Sequence, residues 1–202
     1  MLNIFIRKVI SKRSKIVVDR IFPYIKNSKK IIDIGSGTGN VAFLLQKMGK
    51  DVIPVDVTDF HGPRLVETTI YDGKTLPFPT GSFDTALLIT VLHHTSNPEI
   101  VFAEAARVAK NVIIIETSFT NPINKFFTVV TDTIGNLRVN AFWNSYKTNN
   151  NWRVFFKTYG LQIKESRTFH DKNFGAIPFL HILYFLQKTR ILSRQPRSSI
   201  VE

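Results

Sequence analysis

Three glycines within five residues, Gly35, Gly37 and Gly39, stand directly behind the β-branched run Ile31-Ile-Asp-Ile34. Such a run reads as a buried parallel strand. Glycines at its exit let the chain turn sharply and bring bare backbone close to a ligand. Val41 to Met48 follows as a helix, so its unpaired N–H groups would face whatever rests on the loop. Asp51-Val-Ile-Pro-Val-Asp56 then reads as a second strand ending in a carboxylate. Two vicinal hydroxyls of a ribose can both donate to one such group. The order of strand, glycine loop, helix, strand and acid is that of a nucleoside-binding half-domain.

A second candidate for chemistry is the pair His93 and His94, with His93 the preferred of the two, at the end of the apolar stretch that begins at Ala86. A neutral imidazole can take a proton from a phenol, a hydroxyl or an amine. The competing reading is a pair that caps the following loop. Neither His-x-x-x-His nor a carboxylate partner spacing accompanies them, so no metal site is expected. Five His and no Cys argue for a metal-free reaction. The absence of Cys also excludes any covalent thiolate mechanism, C5 methylation of pyrimidines included.

The elements that would position these groups narrow the chemistry further. Nicotinamide and flavin sites favour G-x-G-x-x-G, whereas here the third glycine falls one position early and Asn40 takes its place. Asp33 followed by the G-x-G-x-G loop resembles the first motif of the class I S-adenosylmethionine-dependent methyltransferases. Asp72-Gly-Lys-Thr-Leu-Pro-Phe-Pro-Thr-Gly-Ser-Phe-Asp84 is similar to the segment that carries their adenine-binding acid. Ala86 to His94 resembles the fourth strand and its mouth. Asn97 to Ala109 fits the next helix, with Asn97 as N-cap and Pro98 in its first turn. Val112-Ile-Ile-Ile-Glu116 fits the fifth strand. The likeness runs in order over residues 31–117. Further on, Thr131 to Arg138 and Trp143 to Tyr159 look like a small, type 11-like branch of the superfamily. Leu161 to Phe169 and Ile182 to Gln187 would be the closing strand pair.

That resemblance implies an α/β fold with a Rossmann-like, doubly wound seven-stranded sheet, mostly parallel with an antiparallel last strand. It implies S-adenosyl-L-methionine as cofactor and methyl transfer as the reaction. Gly35, Ser36, Gly37 and Gly39 would hold the methionyl part, and Asp33 its amino group. Asp56 would bind the ribose, Asp72 the adenine amino group, and Gly73 would offer a backbone N–H to the ring. Thr90, at the end of the fourth strand, completes the expected cofactor set. For Asp56 and Asp72 the alternative is a loop carboxylate that caps local N–H groups. Asn136, Trp143 and Tyr146 fall where this architecture places its substrate-facing insert. The many aromatic residues of that region read mainly as core.

Length and charge fit one domain. The chain has 202 residues, enough to bury a single core. Expected within it are a basic N-terminal helical segment over 1–30, a cofactor half over 31–120, a substrate-facing and sheet-closing half over 121–190, and a flexible tail over 191–202. Residues 1–30 hold nine basic residues against one acid, 31–120 six against ten, and 121–202 twelve against four. Basic flanks of this kind suit an anionic partner, RNA or a membrane surface. Ordinary solvated faces would leave the same imprint, because no basic run exceeds two residues. Met1 to Val18 lacks acids and mixes apolar with basic residues, as transit peptides and membrane-surface helices do. Ile16 to Ile25 reads instead as a structural or substrate-capping helix that leads into the first strand. No stretch is long and apolar enough to span a membrane, and a cytoplasmic location is expected.

The leading expectation is an enzyme that methylates a small-molecule or lipid-like acceptor at oxygen or nitrogen. RNA or protein methylation is the alternative that the basic flanks motivate. A cofactor-binding interaction module without catalysis is a third. Nothing in the sequence fixes the oligomeric state.

Overall fold

The computed structural model describes residues 2–58, 65–136, 145–159, 161–171 and 179–188. Trp143 and the expected tail over 191–202 lie outside the described residues. The described residues form five helices and seven strands. They are α1 (Leu2–Ile25), β1 (Lys30–Ile34), α2 (Asn40–Lys47), β2 (Asp51–Asp56), β3 (Thr69–Ile70), β4 (Phe83–Ile89), α3 (Pro98–Val108), β5 (Ala109–Ser118), α4 (Pro122–Asn136), α5 (Asn149–Lys157), β6 (Leu161–Asp171) and β7 (Phe179–Lys188). A 3-10 turn, Leu92–His94, sits between β4 and α3.

The strands form one sheet in the order β3-β2-β1-β4-β5-β7-β6. β3, β2, β1, β4 and β5 pair in parallel, while β7 runs antiparallel to both β5 and β6. The sheet therefore has the expected doubly wound form, with its last strand reversed. Register is fixed by alternation. Ile31 belongs to the core on one face, whereas Ile32 and Ile34 belong to the core on the other. β5 divides likewise, with Ile113 and Ile115 on the first face and Val112 and Ile114 on the second. A one-residue slip would exchange the two sets, and both faces are covered, so pairing and packing specify the same register.

α1 and α2 cover the first face through Val17, Val18, Ile21, Ile25, Ala42 and Leu45. α3 and α5 cover the second through Val101, Phe102, Ala105, Val108, Trp152, Phe155 and Phe156. Pro98 opens α3 as the sequence requires, but Asn97 turns its side chain to Ser96 instead of capping the helix. α1 is longer than the Ile16 to Ile25 helix read from sequence. It runs antiparallel to β4: Ser28 below it bonds Thr85 near the start of β4, and Arg13 reaches Thr90 just past the end. Among the described residues, no helix is long and apolar enough to cross a membrane.

Candidate functional site

In a parallel sheet the ligand crevice opens at the carboxyl ends of the strands, where the strand order reverses. Here that point lies between β1 and β4, since the chain passes from β1 outward to β2 and β3 before returning to β4. Asp33, the loop Gly35–Gly39, Asp56, Asp72, Thr90, His93 and His94 all come from this edge. Residues more than fifty positions apart in sequence thus share the carboxyl edge of one sheet.

The glycine loop is built from backbone. Gly35 N–H and Ser36 N–H donate to Val55 O at 2.8 and 3.1 Å, and Gly37 N–H donates to Asp56 Oδ2 at 2.8 Å. Gly35, at φ +72°, allows an approach that a side chain would forbid: a Cβ there would stand 2.6 Å from Val91 Cγ2. Gly39 meets the same limit, at 2.4 Å from Val66 Cγ2. Gly39 also occupies the N-cap of α2 and brings no side chain to cap it, which leaves the first turn's N–H groups directed at the loop.

Asp33 is buried at the end of β1, and its Oδ2 has no hydrogen-bond partner. Burial, and then the charge of Asp56, push its carboxyl up to about 7, against the Ala42 N–H that favours the ionised form. A buried carboxylate oxygen without a partner is costly, and an ammonium group placed there would relieve it. The methionyl end of S-adenosylmethionine carries such a group. Ser36 Oγ is likewise buried without a partner, on the same loop. The residues present therefore fit this cofactor.

Asp56 closes β2. Its Oδ2 accepts Gly37 N–H, and its Oδ1 accepts Val57 N–H at 2.8 Å and Thr58 N–H at 3.3 Å. It thus braces the glycine loop, a role its position in the sequence did not announce. A carboxylate offers about four acceptor sites, so these bonds leave capacity for a hydroxyl. Asp72 is exposed two residues beyond β3. Lys74 N–H and Thr75 N–H both donate to its Oδ1 at 2.8 Å, and these bonds hold its carboxyl below the ordinary range. Gly73, at φ +75°, makes the turn. The segment beyond is clamped from α3: Glu104 accepts Leu76 N–H, while Arg107 donates to Leu76 O and Phe78 O. Tyr71 stands between, its hydroxyl raised to about 12 by burial and by the charges of Asp56, Asp72 and Glu104.

Thr90 is the only described non-glycine residue with positive φ, at 55°. That is a strained conformation for a β-branched residue, and its hydroxyl bonds Ile89 O and accepts from Arg13 of α1 at 3.4 Å. His93 and His94 follow in the 3-10 turn, and the structure separates them. His93 is buried, with Nδ1 hydrogen-bonded to Glu116 Oε2. Glu116 Oε1 also accepts the N–H groups of Val91 at 3.1 Å and Leu92 at 2.7 Å. His94 is half-buried, its ring 4.1 Å from that of His93. Tyr146 is buried against His93, with 4.7 Å between ring centroids. Asn136 is the last residue of α4.

Glu116 was not singled out from sequence, although the signal is legible there: one carboxylate ending an otherwise apolar strand must find buried partners. Val66, Val91 and Arg13 carry no such signal. The aromatic region divides, with Trp152, Phe155 and Phe156 in the core and Phe126 and Phe127 exposed.

Residues 32–112 match the family model described as a methyltransferase domain. No curated protein matches the chain. Among solved structures, a Pyrococcus horikoshii protein superposes with a TM-score of 0.65 at 18% identity, covering 88% of this chain and 90% of its own. Magnesium protoporphyrin IX methyltransferase from Synechocystis, determined with bound S-adenosylhomocysteine, gives 0.63 at 17% identity over 90% and 85%. A Thermotoga maritima methyltransferase, described as a possible histamine N-methyltransferase, gives 0.60 at 18% identity over 94% and 100%. At such identities the likeness is one of fold.

Proposed function

We propose that this chain is a class I S-adenosylmethionine-dependent methyltransferase, a reading that the family match over residues 32–112 and the fold support, and that it methylates a small-molecule or lipid-like acceptor at oxygen or nitrogen. The observation that carries the site assignment is the buried, unpartnered Asp33 Oδ2 next to the glycine-rich loop. When bound, the cofactor supplies an electrophilic methyl on a sulfonium. In this reading Asp33 holds the ammonium, and the loop Gly35-Ser36-Gly37 with Gly39 receives the methionyl backbone. Asp56 takes the ribose hydroxyls while it braces Gly37. Asp72 and Gly73 take the adenine edge, and Thr90 lines the mouth of β4. Rate then comes chiefly from alignment of acceptor and methyl carbon.

Where the acceptor must lose a proton, we assign the task to His94. What favours it over His93 is exposure: His93 is buried against Glu116, whereas His94 is half-exposed in the turn that follows β4. Tyr146 and Asn136 are assigned to the acceptor side. A cytoplasmic location belongs to the same reading.

Calorimetric titration with S-adenosylmethionine, S-adenosylhomocysteine and NAD tests the assignment. Both adenosyl ligands are expected to bind and NAD not to. Asp56→Ala should weaken binding by about a hundredfold, since hydrogen bonds to a charged group contribute about 1.5–3 kcal/mol each. Absence of adenosyl binding by the folded protein would remove the proposal. A panel of hydroxyl and amine acceptors then tests His94→Ala, which should lower turnover by about 10² or more while cofactor affinity stays unchanged.

A further inference from the structure

α4 is turned inside out. Ile123, Phe126, Phe127 and Val130 are 69%, 54%, 44% and 38% exposed, and Thr128, on the opposite side of the helix, is buried. The spacing i, i+3, i+4, i+7 places the four apolar residues on one stripe. In a helix that served only the core, this stripe would face inward. Among the described residues, no other element's backbone runs closely alongside α4.

The stripe stands at a particular end of the molecule. α4 leaves the carboxyl end of β5, so it starts at the edge where the crevice opens. α1 reaches the same end, because Arg13 lies level with Thr90 just past β4. The helix continues for eleven more residues beyond Arg13, to Leu2. At a rise of 1.5 Å per residue it extends roughly 16 Å further. That stretch contains Arg7, Lys8 and Lys12 and no acid. At the start of α4, Lys125 lies close enough to Lys147 to be depressed by its charge, after the larger effect of burial.

We propose that α4 and the leading turns of α1 seat the protein on an anionic phospholipid surface, with the carboxyl edge of the sheet turned towards the lipid. A helix with an apolar stripe and basic surroundings is the usual form of an interfacial membrane anchor. Charge selects this occupant. A second copy would set one chain of net +12 against another, whereas an anionic bilayer attracts nearby basic residues by about 1 kcal/mol each. The docking stands apart from the methyl-transfer reading. Its consequence, that the acceptor is an amphiphile taken from the lipid phase, rests on that reading.

Co-sedimentation of the full chain with phosphatidylglycerol–phosphatidylcholine vesicles, and with phosphatidylcholine alone, tests it. Binding should be at least about tenfold stronger to the anionic vesicles and should weaken with salt. Ile123→Asp combined with Phe126→Asp should lower it by about tenfold or more, with calorimetric binding of S-adenosylhomocysteine retained. Phe126→Trp should keep full binding and gain quenching by brominated lipid, which decides the matter even where the double variant does not fold. Failure of the wild type to bind overturns the proposal. So does binding indifferent to the aspartates and without quenching, which would mean that charge alone acts. Self-association lost in the double variant, with no vesicle binding, would instead make the stripe a contact between copies. The cofactor titration is unaffected by any of these outcomes, so the two readings fail separately.

Discussion

Asp33 shows how a single carboxyl sets conditions for its own site. Its folded-state value near 7 lies above the ordinary 3.8, so ionisation is harder in the folded, ligand-free protein than in the unfolded chain. The sign follows: this group leaves stability intact below about pH 4, erodes it between pH 4 and 7, and imposes its full penalty above. Asp33→Asn should therefore stabilise the ligand-free protein at pH 8, by an amount on the order of 2–4 kcal/mol at most, and should change little near pH 4. Melting curves at the two pH values check this. The same variant should bind S-adenosylmethionine more weakly. A cation placed against Asp33 also favours the carboxylate, so cofactor binding near pH 6 should release a proton. Calorimetry in buffers of different ionisation enthalpy would reveal that release, and binding without proton exchange would separate Asp33 from the ammonium.

Elements carry the site through a few cross-braces. The end of β5 holds the turn after β4 by one side chain: Glu116 accepts from Val91, Leu92 and His93. Val91 in turn closes over Gly35. Glu116→Ala would strand three donors, two of them buried, and removal of one partner from such a cluster typically costs about 3–5 kcal/mol. Denaturant unfolding should show a loss of about that size, together with weakened cofactor binding as Val91 shifts. Glu116→Gln, which keeps the acceptor oxygen, should lose less. α3 plays the corresponding part for the segment after Asp72 through Glu104 and Arg107, which fix its backbone.

At the scale of the molecule, α1 is a layer of the fold. Val17, Val18, Ile21 and Ile25 are buried against Ile31, Leu45, Leu87 and Ile113. Burial of four such side chains contributes about 6–12 kcal/mol, comparable to the net stability of a domain, about 5–15 kcal/mol. Removal of residues 1–25 should therefore leave an aggregating chain, detectable by light scattering and by loss of cooperative melting. A truncated protein that melts cooperatively would show α1 to be an appendage. The basic residues at both ends of the chain act at this scale too, through the summed field and not through pairs.

The division between sequence and tertiary structure follows from the range of the forces. Alternating β-branched runs, the glycine loop and Pro98 are local signals, so the order of elements, the parallel sheet and the edge that bears Asp33, Asp56 and Asp72 were legible in the chain. Which histidine faces inward was not, because His93 and His94 are adjacent and alike in type. Glu116, more than twenty residues away, separates them. Nor could residue type separate the aromatics, since Phe155, Phe156, Phe126 and Phe127 share one hydropathy. Only the placement of helices against the sheet buries the first pair and leaves the second exposed. The long-range braces, Asp56 on Gly37 and Arg13 on Thr90, form only once distant segments meet. A sequence records which side chains can bond and how each segment prefers to fold. Packing decides which of the available partners each one meets.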